Sequence, residues 1–236
     1  MKSNAELLAR VARALAPLKY KSVYVGGATT HLLITDVSAP GVTPTDDVDL
    51  VVDLDSPVEF AVHLGEELRR LGLREDTSDG APLCRWKIDD TTVDVMSPNE
   101  AILGFTNRWY PTAIARSETR VIGDIKIQVI DAVTFLATKM DAFSNRGKGD
   151  FIASKDIEDI IAVLDGRPEL VAEVEGHAAE LLSLLARTLT AWRSNDDFAY
   201  AVEGYLLGDT GRIPLLFARI DNLIVACQKG SDPAAP

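Results

Sequence analysis

The chain has 236 residues, 47% hydrophobic and 25% charged, with a formal net charge of −12 at pH 7. That length suits one large domain or two small ones, and the acidic balance excludes a broad basic face for gripping extended duplex DNA or RNA. Cys84 and Cys227 are the only cysteines; they lie far apart in unlike contexts, which argues against a disulfide framework or thiolate zinc site and for a reducing cytoplasm.

No apolar run approaches the roughly 18–20 residues that cross a bilayer. Residues 4–17 place Leu7, Leu8, Val11 and Leu15 at helical spacing behind Asn4 as N-cap, and Glu6, Arg10 and Arg13 interrupt any signal-peptide core. Ser22–Val25 reads as a short buried strand ending at Gly26-Gly27, helical character resumes over 28–34, and Pro40, Gly41 and Pro44 make 36–45 a loop. A second strand, rich in β-branched residues, covers 48–52, and Pro57 opens an amphipathic helix to about Leu71.

Strands over 83–88 and Thr91–Met96 are joined by Asp89-Asp90 as a tight turn. A helix follows over 98–105, and alternating residues on either side of Gly123-Asp124 (119–122 and 125–130) read as a β-hairpin. Asp131 caps a helix carrying Val133, Leu136, Met140 and Phe143 that ends near Gly147. From Ser154 onward the pattern is helical, with breaks at Gly166-Arg167-Pro168, Ser194-Asn195 and 208–211, and residues 230–236 read as a disordered tail. The expected organisation is a mixed α/β (α+β) domain over 1–130, a helical domain over 131–229 and that tail.

The chemistry concentrates between Gly26 and Asp49. A Gly-Gly turn at a helix start lets backbone N–H groups approach phosphate oxygens, and Thr29 and Thr30 add hydroxyl donors there. Asp47 and Asp49 are two apart on a strand and so share a face, whereas Asp46 falls on the other. Two carboxylates about 4 Å apart repel by roughly 4 kcal/mol at an effective dielectric of about 20. A divalent cation relieves that, and oxygen ligands suit Mg²⁺ or Mn²⁺.

Asp94 sits inside an apolar strand, where an unpaired charge is costly. It is a candidate third metal ligand, a general base for an acceptor hydroxyl, or the partner of a basic residue in the helical part. Lys139 and the run Lys155-Asp156-Ile157-Glu158-Asp159 read by themselves as solvated helix faces, with Lys155 and Asp159 spaced to pair. His31, His63 and His177 show no metal spacing, no P-loop, dinucleotide fingerprint or nucleophile elbow is present, and Trp86, Trp109 and Trp192 do not interleave with basic residues.

Taken in order, Gly26-Gly27, Thr45-x-Asp47-Val48-Asp49-Leu50, Asp94, Lys139-Met140-x-Ala142 with Arg146, and Lys155-Asp156-x-x-Asp159 resemble the AbiEii/AbiGii-type nucleotidyltransferases, a branch of the polymerase-β-like superfamily that includes toxins of toxin–antitoxin pairs. The resemblance spans about residues 20–165; Ala28 stands where that family often has Ser or Thr, leaving Thr29 to substitute. It implies that Gly26 and Gly27 hold an NTP triphosphate, that Asp47 and Asp49 bind catalytic Mg²⁺, that Lys139 contacts phosphates and that Asp156 supports the site. The acceptor is then a hydroxyl, either a tRNA 3′ end beside a cognate antitoxin or a small aminoglycoside-like polycation. A non-catalytic binding or regulatory module is the alternative class. A tRNA acceptor would need Arg116, Arg120, Lys126, Lys139, Arg146, Lys148 and Lys155 to converge.

Overall fold

The computed structural model describes residues 3–147 and 149–231. In chain order the elements are α1 (Asn4–Leu15), β1 (Ser22–Val25), a 3₁₀ turn (Gly27–Thr29) running into α2 (Thr30–Leu33), β2 (Asp47–Val52), a π-helical segment (Glu59–Leu64) continued by α3 (Gly65–Arg70), β3 (Arg74–Glu75), β4 (Arg85–Ile88), β5 (Thr91–Met96), α4 (Glu100–Leu103), α5 (Tyr110–Ala115), β6 (Glu118–Ile122) and β7 (Ile125–Val129). The helices α6 (Ala132–Arg146), α7 (Lys155–Gly166), α8 (Leu170–Glu173), α9 (Ala179–Arg193), α10 (Asp196–Tyr205) and α11 (Arg212–Ser231) complete the chain. Residues up to 31 and from 44 to 131 form one compact unit; 32–43 and the chain from 132 onward form the other.

The first unit is built on a seven-stranded mixed sheet in the order β3-β4-β5-β2-β1-β7-β6. β2 lies antiparallel to β1 and parallel to β5, and β1 lies parallel to β7. Val48, Leu50, Val51 and Val52 of β2 are fully buried, so this central strand reads as an apolar run in which Asp47 and Asp49 are the exceptions. The amphipathic α1 packs on β2, burying Leu7, Leu8, Val11 and Leu15. Its N-cap is Ser3, which forms a reciprocal capping box with Glu6. Asn4, the expected cap, is instead buried, and its Oδ1 accepts from Thr45 N at 3.0 Å.

The second unit is helical. Phe143, Phe151, Trp192 and Phe198 form an aromatic cluster, with the Phe143 and Phe151 rings each edge-on to Trp192 at 5.5 Å. Residues 32–43, expected within the first domain, group with these helices for a local reason. The Gly166 carbonyl, at the end of α7, accepts from Thr35 N and Asp36 N at 2.9 Å each. Arg167 Nη1 donates to Leu33 O at 2.8 Å, and Arg212 Nη2 reaches Asp36 Oδ2 at 3.0 Å.

Several boundaries move. The helix expected over 98–105 contracts to α4, capped by Asn99 and ended by Gly104 in the left-handed conformation. The Trp109-Tyr110-Pro111 region forms α5, with Pro in its first turn. Gly230 and Ser231, expected in the tail, complete α11, and residues 232–236 lie outside those described. Among the described residues no helix is long and apolar enough to cross a membrane.

Candidate active site

The carboxylates of β2 stand where the sheet gathers charge on one face. Strand alternation puts Asp47 and Asp49 on that face, and both are half-buried. Parallel pairing sets Asp49 beside Asp94 and Asp47 beside Thr92; antiparallel pairing then sets Asp94 beside Arg85 and Thr92 beside Lys87. Cross-strand neighbours share a face. Two rows therefore cross three strands, Asp49–Asp94–Arg85 and Asp47–Thr92–Lys87.

The first strand ends against this group. Val25 pairs with Asp49, and the chain then turns at Gly26, with φ 71° and ψ −172°, a backbone region essentially restricted to glycine. A Cβ on Gly26 would stand 1.8 Å from Asp49 Oδ2. Glycine is required twice over, by the backbone angle and by the carboxylate that fills the vacated space. The turn and the acidic strand form one construction, which sequence spacing alone left as two neighbouring motifs.

Each proposed site residue has a definite setting. Thr45 Oγ1 donates to Asp47 Oδ1, and Thr45 is itself tethered through its backbone to Asn4. Thr29 is fully buried and donates its hydroxyl to Gly26 O at 2.8 Å. Its proton closes the turn, so the expected phosphate-facing hydroxyl is turned inward; Ala28 and Thr30 are fully buried as well.

Asp94 finds its cation within the sheet, where the sequence left open one from the helical part. Arg85 Nε and Nη2 donate to its two oxygens at 2.9 and 2.7 Å, a bidentate pair within the sheet. Those hydrogen bonds to Asp94, with the negative charges of Asp94 and Asp47 adding to them against the opposing burial, raise the Arg85 pKa further above its already high ordinary value. Burial, and then Asp94, push the neighbouring Cys84 thiol up to about 11. Arg85 and Lys87 escaped the sequence reading, although a two-residue turn at Asp89-Asp90 forces the register that pairs 85 with 94.

Lys139 and Asp156 belong to the helical unit. The expected solvated face of α6 is in fact buried there: Lys139 is 8% exposed and its ammonium lies 3.0 Å from Asp156 and 2.6 Å from Asp159. Asp159 thus takes Lys139 where Lys155 was expected. Arg146 also reaches Asp156, at 3.2 Å. Burial opposes the Lys139 charge, but Asp159 and Asp156 outweigh it and hold its pKa above the ordinary value. Of its three N–H donors, two serve these carboxylates.

Among the described residues, no group of three or more His, Cys, Asp or Glu side chains is arranged to hold a metal ion. A protein-only cage is therefore not formed. Mg²⁺ does not need one, since it commonly takes one or two carboxylates together with water and substrate phosphate oxygens. Asp47 and Asp49, with Gly26 leaving room for the latter, fit that requirement. A cleft of about 600 Å³ lined by Asp53, Asp55, Asn99 and Glu100 lies beyond the other end of β2.

These features define a mixed-sheet domain with an acidic central strand facing a glycine turn. No family model and no curated protein matches the chain. Among solved structures, an antigenic nucleotidyltransferase-like protein from Paracoccidioides brasiliensis is similar to it, with a TM-score of 0.52 at 19% identity over 93% of each chain. At that identity the likeness establishes the fold, which is nucleotidyltransferase-like.

Proposed function

We propose that the protein is a Mg²⁺-dependent nucleotidyltransferase that moves a nucleoside monophosphate from an NTP to a hydroxyl acceptor. The observation that carries this reading is the same-face pair Asp47/Asp49, seated on a buried strand with Asp49 packed into the space that Gly26 leaves. Asp47 and Asp49 would hold the cation, and Gly26 and Gly27 would offer backbone N–H groups to the triphosphate. When bound, the cation would stabilise negative charge on the phosphates during in-line displacement.

The acceptor oxygen forms its bond to the α-phosphorus, the α–β bridging P–O bond breaks, and pyrophosphate departs while the hydroxyl proton passes to water. Asp94 is here a positioning residue: it holds Arg85, whose guanidinium keeps donors beyond the two given to Asp94, at the edge of the acidic face. Lys139 and Asp156 join α6 to α7 within the helical unit.

The finer resemblance to AbiEii/AbiGii-type enzymes adds a tRNA 3′ end as acceptor and a toxin role with a cognate antitoxin. A small polycationic acceptor is the second reading, and a specific observation favours it. Of the residues a basic rim would need, Arg120 pairs with Glu118, Lys139 with Asp156 and Asp159, and Arg146 with Asp156, while Lys148 lies outside the described residues.

Calorimetric titration of Mg²⁺ and each NTP into wild type and the Asp47→Ala/Asp49→Ala variant tests the reading. Binding by wild type alone is expected, and no binding by either protein leaves a non-catalytic module. Labelled NTPs incubated with total tRNA and with small polyamino alcohols then identify the acceptor.

A further inference from the structure

The apolar stripe of α1 begins on a polar residue. Asn4 is buried with Leu7, Leu8, Val11 and Leu15 of the same helix and is itself only 5% exposed. Asparagine is a poor helix former, and a buried amide costs free energy unless it is hydrogen-bonded. Capping does not account for it, because Ser3 and Glu6 close the capping box without it. Its Oδ1 instead reaches the loop before β2 and accepts from Thr45 N at 3.0 Å, 41 positions along the chain.

Thr45 passes that restraint to the acidic face, since its hydroxyl donates to Asp47 Oδ1. Asp47 is half-buried; its Oδ2 accepts from no described residue and is not among the enclosed polar atoms, so that oxygen opens onto the face. A carboxylate held by one oxygen has its orientation set and presents the other. Carboxylates that bind cations are commonly fixed in this way by an outer hydrogen-bond partner.

We infer that Asn4 and Thr45 are positioning residues for the cation: Asn4 holds the Thr45 backbone, and Thr45 holds Asp47 with Oδ2 turned outward. The inference rests on the reading of Asp47 and Asp49 as cation ligands. It adds that the first turn of α1 sets the geometry of one of them.

Paramagnetic titration of the full chain with Mn²⁺, in the absence of nucleotide, tests it. Thr45→Val keeps the side-chain shape and loses the hydroxyl; it should weaken Mn²⁺ binding by about tenfold or more, whereas Thr45→Ser should stay within about twofold of wild type. Asn4→Ala should cost about threefold to tenfold, the worth of one hydrogen bond. Because Asn4 acts through Thr45, Asn4→Ala should add less than about twofold in a Thr45→Val background. Val11→Ala removes packing from the same helix without touching either hydrogen bond, and should leave the affinity within about twofold of wild type. Unchanged affinity in Asn4→Ala or Thr45→Val, additive losses in the double variant, or an equal loss in Val11→Ala would each overturn the inference. Loss of binding in Asp47→Asn/Asp49→Asn would keep the metal reading in all of those cases, and absence of saturable binding by wild type would overturn both. Asn4→Leu, which extends the apolar stripe, replaces Asn4→Ala if the latter folds poorly.

Discussion

Arg85 donates to both oxygens of Asp94, Nε at 2.9 Å and Nη2 at 2.7 Å, while the parallel-strand neighbour of Asp94 is Asp49. A carboxylate that satisfies a guanidinium on both oxygens has less to offer a cation, and in exchange it fixes a positive group beside a negative face. The acidic face is thus asymmetric, with Asp47 and Asp49 on β2 and the cations on β4.

That asymmetry separates two roles for Asp94. If it positions Arg85, Asp94→Asn should lower NTP affinity by about threefold to tenfold yet leave Mn²⁺ affinity within about twofold, because a single charge-assisted contact is loosened. Arg85→Gln should reproduce the NTP effect. Paramagnetic titration of Mn²⁺ in the absence of nucleotide reads the first quantity, and a drop of about tenfold or more in Asp94→Asn would make it a ligand instead.

Much of this face was legible in the sequence. Alternation along 47–52 puts the two carboxylates together, and the two-residue turn at Asp89-Asp90 dictates that 85 meets 94. What resisted was anything set by packing across long separations. Thr29 looked like a phosphate donor because its position relative to Gly27 is apt; only the fold reveals that its hydroxyl turns back to Gly26 O. Lys139 looked solvated because lysines on helices generally are, and nothing local announces that Asp156 and Asp159, on the next helix, bury it. Residues 32–43 joined the helical unit through backbone hydrogen bonds to Gly166 and through Arg167 and Arg212, partners 130 or more positions away that no local spacing announces.

Gly26 should be the least replaceable glycine of the sheet unit. Gly26→Ala adds a methyl 1.8 Å from Asp49 Oδ2 at a φ of +71°; strain of this backbone type costs about 1–3 kcal/mol, and displacement of the carboxylate adds to it. Gly104→Ala is the matched control, with φ +78° and nothing within 4 Å of the new Cβ. Urea unfolding should show the larger loss for Gly26→Ala, and that variant should also bind Mn²⁺ more weakly. Equal losses with unchanged Mn²⁺ affinity would detach the turn from the metal face.

If Asp47 and Asp49 hold a cation, the folded state gains stability by mass action. At a free Mg²⁺ concentration about one hundred times the Kd the gain is about 2.7 kcal/mol. Thermal unfolding of wild type should shift upward with Mg²⁺, and that of Asp47→Asn/Asp49→Asn should not. A parallel shift in both proteins would assign the stabilisation to ions elsewhere.

The Lys139 cluster provides the strongest electrostatic test in the helical unit. Lys139→Met leaves Asp156 and Asp159 without the ammonium they share, and breaking a buried pair in this way costs about 3–5 kcal/mol. The pH dependence has a defined sign. The folded pKa of Lys139 lies above its ordinary 10.5 because Asp159 and Asp156 outweigh the burial that opposes its charge. Its contribution is therefore complete below about pH 10.5 and is lost as pH rises through the higher folded value. Denaturant titrations should find the deficit of Lys139→Met constant from neutrality to about pH 10 and shrinking only at stronger alkalinity. A deficit that does not shrink at strong alkalinity would mean that Lys139 acts through the packing of its alkyl chain and that its charge contributes little.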